Sequence, residues 1–243
     1  MKTLLAIFLA LTIPVAACAD VCVKQSSHTD SYYYGGVSNP PEDEETDVWI
    51  AAHKMALVGK SRTIILDAEA KLMYFVNHTD STYAEIALPM DWSKVVDEQL
   101  LGRLNMFKRQ GEVKASGETK KIGKWECERY DVLSWIPYQD IRYDEKELRV
   151  WVATDVPIDL DVYSEMTVEL RKLQNHSDSL QVEMKKIRGV EIASEGVVYQ
   201  RGFSVNTEEK VLDILEDDPP FDVYSVPKGY TKKDRLTMQD LRG

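Results

Sequence analysis

Four histidines, His28, His53, His78 and His176, are the side chains of this chain best suited to bind metal or to move protons. Two of them sit in an echo, His28-Thr29-Asp30 and His78-Thr79-Asp80. If the two tripeptides met in space, they would offer two imidazoles and two carboxylates to an ion such as zinc. Turn formation is the simpler role, because Asp and Thr satisfy nearby backbone groups. None of the four histidines lies beside a Cys or carboxylate at ligand spacing. No serine is framed as Gly-x-Ser-x-Gly, no glycine loop cradles phosphate, and the carboxylates are scattered over polar turns. The expectation is a protein without catalytic residues, metal ligands or cofactor.

The three cysteines bear on compartment rather than catalysis. Lys2, the apolar run Leu4 to Val15 and the small residues Ala16-Ala17-Cys18-Ala19 read as an export signal over residues 1–19. Val15-Ala16-Ala17-Cys18 resembles a lipobox, which would make Cys18 a lipidation site, and Ala17-Cys18-Ala19 equally fits cleavage before Asp20. An export signal makes the location periplasmic or envelope-anchored. In an oxidising compartment, Cys22 and Cys127 are expected to form a disulfide, which would stabilise by about 2–5 kcal/mol. The alternative is two small buried apolar side chains that never meet.

The net charge is −11, and losing Lys2 with a leader makes it one unit more negative. Such a surface repels phosphate backbones, so nucleic acid is excluded as a partner and a monomer is expected. About 220 residues after the leader suit one domain, residues 20–243. No later stretch approaches the ~20 apolar residues of a membrane-spanning helix.

Stepping through the chain, Asp20 to Tyr34 is strand-like and turns at Gly35-Gly36. Asn39-Pro40-Pro41-Glu42-Asp43-Glu44-Glu45 is expected to be loop, because Pro cannot donate to a ladder and adjacent acids repel. Thr46 to Val58 resumes strand character. Arg62 to Leu66, Leu72 to Val76 and Thr82 to Ile86 form a tight antiparallel meander. The first two of these strands are apolar on both faces, which places them between a helix layer and a second apolar surface. Asp91 caps a helix expected to run to about Arg109, with Trp92, Val96, Leu100, Leu104 and Phe107 on one stripe. Lys124 to Ser134 and Ile141 to Ala153 form a hairpin. A second helix spans about Asp161 to Gln174, with Met166 and Leu170 on its apolar face. Ser179 to Ala193 and Gly196 to Val205 read as another hairpin, and Glu209 to Leu215 as a last strand.

This rhythm predicts an α+β fold: one strongly curved antiparallel sheet, an unclosed half-barrel, with two amphipathic helices across its concave face. Tyr74, Phe75, Trp92, Val96, Leu100, Leu104, Phe107, Trp151, Met166 and Leu170 would then either line a cavity or fill it.

Short motifs in order carry a resemblance. They are Ser27-His28-Thr29-Asp30, Trp49 with Lys54, Leu66-Asp67, His78-Thr79-Asp80 before Thr82-Tyr83, and Leu88-Pro89. Ile122-Gly123-Lys124-Trp125 with Tyr130, Val150-Trp151-Val152 and Val226-Pro227-Lys228-Gly229-Tyr230 complete them. With these motifs the chain resembles a group of exported bacterial proteins related to the periplasmic lipoprotein carrier LolA, within the LolA/LppX/RseB-like half-barrel superfamily. The resemblance implies an unclosed barrel whose apolar cavity, in the carriers, holds acyl chains. None of the carrier's contact residues aligns to a position here. The functional expectation is therefore an apolar ligand, a lipid or a lipoprotein acyl chain, bound between sheet and helices. The alternative is an interaction or sensing protein whose partner is another protein of the cell envelope.

Overall fold

The computed structural model describes residues 20–34, 36–200 and 202–241. The expected leader, Cys18 within it, and Gly35 of the expected turn lie outside the described residues. Strand β1 (Asp20–Thr29) is followed by a small hairpin of β2 (Tyr32–Tyr34) and β3 (Val37–Asn39), then by β4 (Glu42–Ile50). β4 returns antiparallel along the whole of β1, with Cys22 opposite Trp49 and His28 opposite Asp43. The acidic run expected to be loop is thus the first half of a strand. Its carboxylates face neutral Ser26, Ser27 and Thr29 and the imidazole of His28, whose Nδ1 lies 2.7 Å from Asp43 Oδ1, so pairing with β1 adds no like charge.

The meander forms as the alternation requires: β5 (Lys54–Val58), β6 (Arg62–Asp67), β7 (Leu72–Asn77) and β8 (Thr82–Ala87) pair in sequence. Leu66, Met73 and Phe75 join one apolar cluster, while Ile65 and Val76 join another beside Trp49 and Tyr230. That explains why these strands are apolar on both faces. The second surface comes from the segment carrying Val223, Tyr224, Val226 and Tyr230.

Two short helices follow where one was expected. α1 (Trp92–Val95) is capped by Asp91 and α2 (Glu98–Met106) by Asp97, each carboxylate accepting a backbone N–H of the first turn. Between them Val96 leaves helical geometry to bridge Leu236, and Asp97 restarts the helix. β9 (Gln110–Ile122) had no counterpart in the sequence reading. It is a mostly polar edge strand given its course by β10 (Trp125–Tyr138), which β11 (Ile141–Ala153) then pairs as expected.

α3 (Leu160–Leu173) matches the second expected helix, and Asp159 caps it. α4 (Asp178–Met184) lies where a strand was expected, because the Ser177 hydroxyl caps it by accepting the Leu180 N–H. β12 (Val190–Gln200) and β13 (Phe203–Asp217) form the last hairpin, β14 (Thr231–Lys233) runs parallel to β8, and α5 (Met238–Leu241) follows. The turn of that hairpin falls between Gln200 and Phe203, not at Ala193–Gly196, so residues 196–200 end β12, and β13 runs unbroken from Phe203 through residues 209–215. Gly196 lies inside β12, where a Cβ would stand 2.0 Å from the Glu147 carbonyl oxygen, so glycine there allows close strand approach rather than a turn.

The result is a mixed, unclosed 12-stranded sheet in the order β14-β8-β7-β6-β5-β4-β1-β13-β12-β11-β10-β9. It joins residues from both ends of the chain, since β1 pairs with both β4 and β13. The expected Cys22–Cys127 disulfide is not formed, and both thiols are free and buried. Cys22 packs with Trp49 and Ala56 on the face opposite its neighbours Val21 and Val23, whereas Cys127 packs with the larger cluster, four ladders away on β10.

Gly196→Ala should cost roughly 2–4 kcal/mol, because a backbone oxygen cannot give way to the new methyl. Gly102→Ala, inside α2 with open space around it, should gain about 1 kcal/mol. Urea unfolding of both variants measures the contrast. A thiol titration of the unfolded, unreduced protein should find both Cys22 and Cys127 reactive.

Candidate functional site

Eight of the ten side chains expected around a cavity meet in one apolar cluster. Phe75, Val96, Leu100, Trp151 and Met166 are buried within it, and Trp92, Leu104 and Leu170 pack against it partly exposed. Tyr74 alternates with Phe75 along β7 and so joins the opposite cluster beside Val76 and Tyr83. Phe107, just past the end of α2, is 39% exposed and joins neither. Val96 and Met166 are 1% and 2% exposed, so the deep members of the group fill the interior. Trp92, Leu101 and Leu104 present apolar surface at its rim.

Beside that rim lies a recess of about 370 Å³, whose apolar lining is Met90, Trp92 and Leu101 and whose charged lining is Asp91, Lys108, Lys172 and Asp178, together with Ser93, Asn105, Asn175, His176 and Gln181. Three contacts hold its walls. Glu169 on α3 accepts the Met90 N–H at 3.0 Å and the Lys172 ammonium at 2.7 Å, tying α3 to the segment after β8. Asn175, at a left-handed φ of 55° past the end of α3, donates its side-chain amide to the Leu104 and Phe107 carbonyls. It thereby caps the C-terminal end of α2. The Arg109 N–H donates to the Asn175 carbonyl at 3.0 Å and the Ser177 N–H to the Arg109 carbonyl at 2.9 Å, which locks the chain before β9 to the turn before α4.

A charged group that sequence reasoning missed lies behind this recess. Arg109 is 9% exposed and donates to the Ser134 hydroxyl, the Asp144 carbonyl and the Asp144 carboxylate. Burial and the cations Arg109, Arg171 and Lys146 push His176 down from 6.5 to about 4, so its imidazole is neutral near pH 7. A second recess of about 200 Å³, between β1, β4, β12 and β13, is lined by Gln25, Ser27, Glu44, Thr46, Glu191 and Glu209. Desolvation by the surrounding strands and the nearby Glu191 raise Glu209 from 4.5 to about 7, with Lys146 opposing, while part of its side chain still reaches solvent; burial likewise raises Glu191. Burial beside Glu191 pushes Tyr163 of α3 up to about 12. In the sequence Lys146 and Glu209 stand inside charged runs, Glu145-Lys146-Glu147 and Glu208-Glu209-Lys210, and so read as a solvated face. The one available signal was Tyr163, which stands among the apolar positions of α3.

The histidine echo does not come together. His28 bonds Asp43 and Asp30, whereas His78 bonds the Thr63 hydroxyl and the Tyr230 hydroxyl. Among the described residues no group of three or more His, Cys, Asp or Glu side chains is placed to hold a metal ion. A wider groove of about 460 Å³ crosses β9 to β13. Five carboxylates, Glu112, Asp131, Glu147, Glu195 and Glu208, outnumber its two cations, Arg149 paired with Glu195 and Lys114 with Glu112, so the groove is net negative. Among the described residues no helix is long and apolar enough to cross a membrane. No protein-family model matches the chain, and no curated protein matches it in sequence.

The two perturbed groups give opposite pH dependences. The unfolded chain binds more protons at His176 between pH 4 and 6.5, so the contribution of His176 to stability rises with pH across that window. The folded chain keeps the Glu209 proton longer, so its contribution falls between pH 4.5 and 7, and raised Glu191 acts in the same direction. Urea unfolding across pH 4.5–7 should therefore show Glu209→Gln gaining on the wild type as pH rises and His176→Gln losing ground. After solvent screening, each change should be about 1 kcal/mol. Differences flat with pH would contradict the desolvation of both groups.

Proposed function

We propose that this protein is a non-enzymatic exported binding protein of half-barrel architecture, related to the lipoprotein-carrier group that its motifs resemble. In this reading the sheet curves around the larger cluster, the amphipathic α2 and α3 lie across its concave face, and residues 20–243 form one domain. The ligand is a lipid or the acyl part of a lipoprotein, entering between the two helices. The observation that carries the reading is the rim of Trp92, Leu101 and Leu104. These side chains extend the packed interior outward as accessible apolar surface, and they stand beside a recess large enough for a ligand segment.

Hydrocarbon laid on that rim would gain ~25 cal/mol per Å² of apolar area removed from water. A chain passing deeper would need α2 or α3 to move, since Val96, Leu100 and Met166 leave no space beneath them. Asp97 and Asp159 cap the first turns of α2 and α3, and the Asn175 bonds to the Leu104 and Phe107 carbonyls are what such a movement would have to break.

A second reading draws on a different surface. Tyr33, Tyr34, Val37, Tyr138 and Ile141 are exposed at hairpin tips, with Tyr32 and Tyr34 packed on Phe203. Aromatic tips of this kind suit contact with another envelope protein.

Protein purified from its exporting cell without detergent, extracted with organic solvent and examined by mass spectrometry, should yield co-purified lipid at a fixed stoichiometry. Leu101→Glu on the rim should remove that lipid while lowering stability by no more than about 1 kcal/mol, because the side chain is only partly buried. A lipid-free extract together with stoichiometric capture of one envelope protein would favour the second reading.

A further inference from the structure

We propose that one end of the sheet docks on a zwitterionic phospholipid surface, through apolar side chains that three hairpins and the end of α2 carry to it. This surface is separate from the ligand recess.

The strand registers bring these points to one end. β1 finishes at Thr29 opposite Thr207 of β13, and the chain then enters the β2–β3 hairpin, whose Tyr32 stacks on Phe203 with ring centres 5.2 Å apart. Phe203 opens β13 opposite Gln200, and Tyr199 beside it faces Glu145 of β11. β11 begins at Ile141, opposite Tyr138 of β10. Trp135 of β10 pairs with Gln110 at the start of β9, three residues after Phe107 closes α2.

Apolar exposure is concentrated there. Among the described residues twelve large hydrophobic side chains are well exposed, and eight of them belong to this end. The β2–β3 hairpin carries Tyr33, Tyr34 and Val37, and the β10–β11 turn carries Tyr138 and Ile141. Tyr199 stands near the end of β12, and Met106 and Phe107 finish α2. The other four lie elsewhere, on α4, on the far part of β13 and at Phe221. Exposed apolar surface gathered in this way marks a contact with a membrane or a partner.

Shape and charge favour lipid. The eight side chains stand on separate turns and a helix end, and none of them lines the recesses or the groove described above. A protein contact needs a continuous packed core, whereas lipid head groups flow between separate points. Four of the eight are tyrosines, whose rings enter the head-group layer while the hydroxyls stay hydrated. Charges near the tips are largely engaged: His28 with Asp43 and Asp30, Arg109 with Asp144, and Arg142 with Glu145 and the Trp135 ring. Glu42 and Asp140 are left against Lys108, and the chain as a whole carries −11, so anionic lipid gains nothing here. α2 also runs from Leu101 and Leu104 of the ligand rim to this end, so the rim and the docking points share one helix.

Flotation of the purified protein with phosphatidylcholine vesicles on a density gradient tests this. The wild type should float, and adding phosphatidylglycerol should not raise the floated fraction. Tyr33→Ser/Ile141→Ser/Tyr199→Ser should lower vesicle partitioning about tenfold, with the melting temperature unchanged because all three side chains are exposed. Phe221→Ser removes a 99% exposed ring beyond the Asp20–Asp217 pair, at the opposite end of the sheet, and should float as the wild type does. A wild type that stays at the bottom, a triple variant that floats undiminished, or flotation that requires anionic lipid would overturn the proposal. So would an equal loss in Phe221→Ser, which would mark general stickiness, or capture of one envelope protein through these tips without flotation. Co-purified lipid without flotation would remove the docking proposal and leave the carrier reading standing; flotation without co-purified lipid would do the reverse.

Discussion

Strand β1 carries the architecture, because it is the only strand hydrogen-bonded to both halves of the sheet. On one side it pairs with β4 and through it with the meander β5–β8 and β14; on the other it pairs with β13 and the strands β12 to β9. Without those ten residues the molecule would present two separate sheets, each with a long unpaired edge at β4 and β13, and such edges invite pairing with other chains. The alternation of β1 is equally constrained. Val21 and Val23 point into the larger cluster and Cys22 into the smaller one, so a slip of one residue would exchange the two faces.

That placement explains why two buried thiols remain apart. A disulfide needs Cα atoms about 5.5 Å apart with their Cβ vectors facing each other, and β1 aims Cys22 into the cluster that Cys127 does not share. Apolar burial therefore accounts for both cysteines. The segment from Val223 to Tyr230 completes the smaller cluster, and the buried Asp240 pins the chain after it by accepting from Asn77, Lys233 and the Thr237 N–H. Burial alone would raise the Asp240 carboxyl, but the Lys233 ammonium and these hydrogen bonds win and hold it at about 2.

The interior is divided by chemistry. Helices α1 to α3 contribute apolar side chains to the same cluster as strands of the sheet, while Arg109, Lys146, His176, Glu191 and Glu209 form a neighbouring charged group. Arg109 stays charged there because Ser134 and Asp144 accept from it, whereas burial pushes His176 and Glu209 toward their neutral forms.

The amino-acid sequence by itself determined most strands of the meander, the β10–β11 hairpin, α3 and the need for a second apolar surface. Each of those follows from local alternation or a 3.6-residue period, and β6 and β7, apolar on both sides, have no other way to hide from water. It did not determine β9 or the acidic half of β4, whose polar residues become strand only because β10 and β1 supply the partner and the register. The break between α1 and α2 comes from a bridge to Leu236, 140 positions further on, which leaves no trace near Val96. Eight of the ten apolar positions were legible because they lie on periodic faces. The ionisable groups behind them were not, since a glutamate on a strand looks solvated until tertiary structure closes over it, and only long-range packing decides which charges water reaches.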